Sequence, residues 1–239
     1  MSLMKAKYTL WVIAALVGVA GTVLYWLASV FYPPLLLFPH MRMVGVTPVY
    51  SASPIPDEIE GVIGRADALV RASPLFTPEV LSRPVYLTDG GLRWRLLSLN
   101  VSNSLALSRP LVETIVVNRS DVVTDRVWYS GNPVPARDLT SVIAHERTHV
   151  LIRRRFGLLS SQIYPTWVVE GYSDHVSGTG SMSDAAAARM IAEGRRTRGL
   201  FYYESRKRVA RELEANGGSV EALFQSSRRR PMDREEPAA

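Results

Sequence analysis

Residues 8–32 read YTLWVIAALVGVAGTVLYWLASVFY, and no Asp, Glu, Lys or Arg occurs between Lys7 and Arg42. No other feature limits the chain as strongly. These 25 residues, at a rise of about 1.5 Å each, are long enough to cross a bilayer core of roughly 30 Å with some tilt. Tyr8, Trp11, Tyr25, Trp26 and Tyr32 lie towards the two ends, where amphipathic rings favour the membrane interface. Pro33 and Pro34 then stop the helix. Gly18, Val19 and Ala20 offer a small-residue cleavage site, so a signal peptide is the rival reading. The apolar run continues well past Ala20, beyond the length of a signal h-region, and this favours an uncleaved anchor. Lys5 and Lys7 place the N-terminus in the cytoplasm and the remainder outside it, with Arg42 as a weak counterweight.

The expected organisation is a short N-terminus (1–7), a transmembrane helix (8–32), a membrane-proximal connector (33–55), one folded domain (56–225) and a disordered tail (226–239). From Pro56 to Arg71 apolar residues recur at helical spacing, at Ile59, Val62, Ile63, Ala66, Leu69 and Val70. Four stretches, 85–88, 93–99, 112–118 and 126–129, are rich in β-branched and aromatic residues and read as strands. Asp89, Gly90 and Gly91 form a turn between the first two. After Pro135 the pattern is helical, broken at Gly157, at 178–180 and at Gly217 and Gly218. A small sheet followed by helices is an α+β arrangement.

The chain has no cysteine. Disulfides, thiolate nucleophiles and Cys-ligated metals are therefore excluded, and any metal must sit on His, Asp or Glu. Between residues 195 and 234 there are 11 basic and 5 acidic residues, a surplus that accounts for the whole net charge of +6. Such a stripe can meet nucleic acid or anionic lipid. A solvated helix face and tail is the plainer reading, and the expected topology keeps the stripe from nucleic acid.

Asp138 to Arg155 reads DLTSVIAHERTHVLIRRR. Asp138 suits an N-cap, residues 153–155 suit the last turn, and Gly157 suits the stop. Inside lie His145, Glu146, Arg147, Thr148 and His149. Residues four apart share a helical face, so both imidazoles reach one ion. This is the H-E-x-x-H pattern of zinc metalloproteases, with the Glu as general base. Leu139, Val142, Ile143 and Val150 form an apolar stripe with Glu146 in its middle. A carboxylate facing a core is costly unless it has a partner or a task. Arg147 borders the same stripe and must snorkel outwards or pair with an acid.

The next helix reads TWVVEGYSDHVS from Thr166. Glu170 follows His149 by 21 positions, and Asp174 lies four beyond Glu170 on the same face. An H-E-x-x-H helix followed at this distance by Glu, within Pro165, Thr166, Trp167, Val168, Val169, Glu170 and Gly171, resembles the gluzincin metallopeptidases, the family of thermolysin and aminopeptidase N. The resemblance covers about residues 138–178. It implies a zincin-like fold, zinc on His145, His149 and Glu170, Glu146 as the base, and Asp174 orienting a zinc-binding histidine. His175 is the alternative third ligand. The resemblance also points to a downstream tyrosine as oxyanion donor, with Tyr202 favoured over Tyr203 and aromatic packing as the plainer reading. It implies an edge strand along which a peptide lies; 112–118 is the candidate, with an interior strand as the alternative. Gly171 is expected to pack closely against the 138–155 helix. Together these expectations describe a membrane-anchored zinc peptidase acting on peptides or proteins. The competing reading keeps the fold and makes the chain a catalytically silent envelope binding or assembly factor.

Overall fold

The computed structural model describes residues 2–36, 38–99, 104–180 and 182–228. It is an α+β protein with one long N-terminal helix, a mixed sheet and a helical second half. The first helix, α1, runs Ser2–Phe31. Its segment Trp11–Ser29 has a mean hydropathy of 2.0 and is almost wholly unburied. It is long and apolar enough to cross a membrane. Near its end it meets the rest of the chain: the Trp26 indole donates to the Leu96 carbonyl at 3.3 Å, and Ser29 is buried.

The sheet begins earlier than expected. Residues 40–51 form an antiparallel hairpin, β1 (His40–Val44) and β2 (Thr47–Ser51), inside the supposed connector. Helix α2 (Ile59–Arg71) follows, burying Ile59, Val62, Ile63, Ala66 and Val70 as its spacing requires. It links β2 to β3 (Val85–Leu87), which pairs with β2 in parallel. Residues 93–99 are not a strand. Asp89, Gly90 and Gly91 all have positive φ, and the turn opens helix α3 (Gly91–Leu97), with Trp94 and Leu97 buried three apart on one face. Two short strands complete the sheet, β4 (Ala106–Ser108) and β5 (Ile115–Val117). The order is β1-β2-β3-β5-β4. The stretch 112–118 therefore contributes an interior strand, buried at all three positions, and β4 is the edge. Ile115 and Val117 point into the main core, while Val116 faces the opposite side with Trp94 and Leu97, as strand alternation demands.

A two-residue ribbon, β6 (Ser120–Asp121) with β7 (Arg126–Val127), leads into helix α4 (Leu139–Phe156). The sheet and α2 pack against one side of α4, and α6 (Thr166–Val176) against another. The short α5 (Ser160–Ile163) lies between them in sequence. Helices α7 (Asp184–Ala192), α8 (Arg198–Ala215) and α9 (Val220–Arg228) finish the described fold. Phe224 of α9 stacks on Phe156, with ring centroids 4.2 Å apart. Residues 226–228 thus belong to a helix rather than a disordered tail, and 229–239 lie outside the described residues.

Gly171 has a use other than the expected one. A Cβ there would lie 2.7 Å from the Ser205 carbonyl oxygen and 2.8 Å from its carbon, both backbone atoms of α8. The missing side chain lets α6 approach α8, not α4.

Candidate metal centre

Helix α4 is fixed firmly at both ends. The Asp138 carboxylate accepts from the Ser141 amide at 2.9 Å, completing the N-cap. Asp125 reinforces it, accepting from the Thr140 amide and hydroxyl at 2.8 Å each. Gly157 closes the helix at φ 100°, a conformation that side chains with a Cβ avoid. In the last turn, Arg154 grips Glu113 of the β4–β5 turn through Nε at 2.9 Å and Nη2 at 2.6 Å. This clamp holds the edge strand against α4. The Arg154 guanidinium, by hydrogen bond first, holds the Glu113 carboxyl below its ordinary range.

The helix is buried nearly all round, so its apolar stripe is not its only buried face. Glu146 and Arg147 consequently have opposite fates. Arg147 is fully buried and does not snorkel: its guanidinium pairs with Asp67 of α2 and donates to the Thr47 hydroxyl at 2.9 Å. Glu146 lines a cavity of about 370 Å³ together with His145, His149 and Glu170. Its carboxylate makes no hydrogen bond or ion pair with any described residue.

His145, His149 and Glu170 converge within this cavity. The two imidazole Nε2 atoms are 3.0 Å apart. Glu170 presents Oε2 at 3.2 Å from His145 Nε2 and Oε1 at 3.5 Å from His149 Nε2. About 3.3 Å separates neighbouring donors around a tetrahedral ion with bonds of about 2.0–2.1 Å. The three groups therefore fit a metal ion with little rearrangement. His175 does not join them; it lines a separate cavity beside Leu69 and Ser73.

The outer nitrogens of the histidines are also addressed. His145 Nδ1 lies 2.8 Å from Asp174 Oδ1, and the Ser173 hydroxyl lies 3.5 Å from His149 Nδ1. With Nδ1 on Asp174, His145 presents Nε2 to the cavity. Arg137, just before α4, donates to the same Asp174 oxygen at 2.8 Å. Its other nitrogen reaches the Ser177 hydroxyl at 3.1 Å and the Thr179 carbonyl at 2.6 Å. Burial pushes the Asp174 carboxyl up, but Arg137 and His145 outweigh it and hold the group below its usual range. Burial likewise pulls His145 down, and the bonds and charges of Asp174 and Glu170 overcome it, raising the imidazole to about 10. Burial raises Glu170, while the charge of His149 and the bonds to both histidines hold it well below the usual range.

Tyr202 lines the cavity, and its hydroxyl accepts from Arg198 Nε at 2.9 Å. Tyr203 instead sits beside Asp184 and Lys207. Residues 104–108, which include β4, form another wall. Neither this strand nor a cavity role for Arg137 and Arg153 is marked by a motif in the sequence. Arg153 was legible in principle, because it follows His149 by four on the same helix face.

No protein-family model, curated protein or solved structure matches this chain.

Proposed function

We propose that the chain is a membrane-anchored zinc peptidase of the gluzincin type, with a zincin-like domain outside the cytoplasm. The observation that carries this reading is the contrast inside one cavity. Three donors converge at separations of 3.0–3.5 Å, while a fourth group, Glu146, opens into the same space with no hydrogen bond or ion pair among the described residues. His145, His149 and Glu170 would hold the ion. Two imidazoles and one carboxylate with a position left over is a donor set of catalytic zinc. Zinc, when bound, polarises a peptide carbonyl and lowers the pKa of a water to about 7.

The chain's own residues supply the rest. Glu146 accepts the proton of the attacking water and delivers it to the leaving nitrogen. Asp174, braced by Arg137, keeps the His145 ring in place. Tyr202 donates towards the developing oxyanion. Its hydroxyl already accepts from Arg198, which directs the phenolic proton elsewhere. The free edge of β4 receives an extended peptide by main-chain pairing. This role passes from 112–118, whose strand is interior, to 104–108. Helix α1 anchors the protein, with Lys5 and Lys7 on the cytoplasmic side.

Glu146→Gln tests the proposal. The full chain in detergent, loaded with zinc, should hydrolyse unstructured peptides. The variant should keep its zinc and lose at least about 10²–10⁴-fold in turnover. Near wild-type turnover at full zinc occupancy would refute Glu146 as the base. Unchanged cellular function would favour a silent binding role instead.

A further inference from the structure

The three arginines that end α4 look equivalent in sequence and are not equivalent in space. Arg154 is bound to Glu113, and Arg155 donates to Glu221 at 2.9 Å. Arg153 turns into the cavity that holds the His145, His149 and Glu170 cluster. Its Nε and Nη2 are buried, and among the described residues it makes no hydrogen bond or ion pair. Arg109 shares that lack but does not line the cavity. The other two arginines in the wall are engaged, Arg137 by Asp174 and Arg198 by Tyr202. The carboxylates whose fields reach Arg153 are Glu146 and Glu113. Glu113 is already held by Arg154 and Arg83, and Glu146 faces the cavity without bonding Arg153.

A guanidinium cannot shed its charge and offers five donors matched to a carboxylate. Leaving the three carried by Nε and Nη2 buried and unbonded is costly. A ligand that supplies a carboxylate removes that penalty. We infer that Arg153 forms an anion subsite of this cavity, taking a carboxylate of the substrate peptide. One helical turn, about 5.4–6 Å, separates Arg153 from His149 along α4. An extended peptide advances about 3.3 Å per residue. The carboxylate therefore lies one or two residues from the bond held at the metal cluster. An acidic side chain or the C-terminal carboxylate supplies the same chemistry. The peptide as ligand rests on the peptidase reading; the anion subsite rests on Arg153 alone.

The test uses zinc-loaded full chain and four labelled peptides of one sequence. They carry Glu or Gln flanking the central bond and end in a free or amidated C-terminus. Binding is measured by fluorescence anisotropy on the Glu146→Gln background, so that hydrolysis does not interfere, and cleavage on the wild type. Zinc content and melting temperature verify each variant, with Arg153→Met as a second substitution should Arg153→Gln disturb the fold. A carboxylate-bearing peptide should bind about 10- to 100-fold more tightly than its neutral counterpart. Arg153→Gln should abolish that ratio, and Arg153→Lys should keep part of it. The peptide that carries the preference identifies the source of the carboxylate. Binding with no carboxylate preference, or a preference that survives Arg153→Gln and Arg153→Met, overturns the inference. Carboxylate-dependent binding without cleavage of any peptide would support the subsite and count against the peptidase reading.

Discussion

Two faces of α4 handle buried charge in opposite ways. Towards α2 and the sheet, Arg147 is fully enclosed and met by Asp67 and Thr47. Towards the cavity, Glu146 and Arg153 make no hydrogen bond or ion pair among the described residues, and His145, His149 and Glu170 crowd their donors together. A protein interior tolerates a charge that is paired, and an unpaired one is costly. Arg147 is thus a structural element, joining α4 to α2 and β2. The cavity face keeps its groups available for something outside the chain. The neighbours they meet thus give adjacent residues on one helix different fates, Arg147 an enclosed ion pair and Glu146 a place in the cavity wall.

That contrast predicts different kinds of damage. The largest loss of stability belongs to the paired face. Arg147→Met leaves Asp67 without its partner and should lower unfolding free energy by about 3–5 kcal/mol, read by thermal or denaturant unfolding. Adding Asp67→Leu should recover most of that loss, because a pair removed whole leaves no stranded charge. A single variant as stable as the wild type would show that the pair does not hold α4. Glu146→Gln, one residue away, should leave the melting temperature within a degree or two, because no bond is lost.

Arg137 connects the two kinds of role, since it reaches His145 through Asp174. Arg137→Gln should weaken metal binding about 10- to 100-fold, the usual effect of removing a partner behind a ligand. A chelator-competition titration measures it. Affinity unchanged in that variant would mean that Asp174 holds His145 unaided.

A smaller effect is expected where α6 meets α8. Gly171→Ala forces a methyl group against the Ser205 backbone and should cost about 1–3 kcal/mol. Because α6 carries Glu170, the variant should also loosen the metal site. A fully stable variant with wild-type affinity would show that α6 and α8 separate freely.

Much of this site was legible in the sequence because it is local. Asp138 and Gly157 bound α4, the four-residue spacing of His145 and His149 sets one face, and Glu170 stands on the following helix. What was not legible depends on distant partners or on competing local signals. Asp67 lies 80 positions from Arg147, and no spacing rule joins them. The segment 93–99 mixes strand-favouring residues with a helical pattern, and the burial of Trp94 and Leu97 decided for helix. Pro48 argued against a strand at 47–51, since it cannot donate to a ladder. It sits just outside the β2–β3 pairing, which starts at Val49. β4 has three residues, too few for a periodic signal, although it forms the cavity wall. The run Ile115, Val116 and Val117 is continuously apolar, which is the mark of a strand buried on both faces.

Whether His145, His149 and Glu170 bind one metal ion together is decided by a zinc titration of the full chain. Elemental analysis and chelator competition on wild type and His149→Ala give stoichiometry and affinity. The wild type should bind about one zinc per chain, with release of protons because ligating imidazoles must be neutral. His149→Ala should lose most of that zinc while remaining folded, since two ligands hold the ion poorly. Full zinc occupancy in His149→Ala, or a wild type that binds none, would contradict joint binding by the three residues.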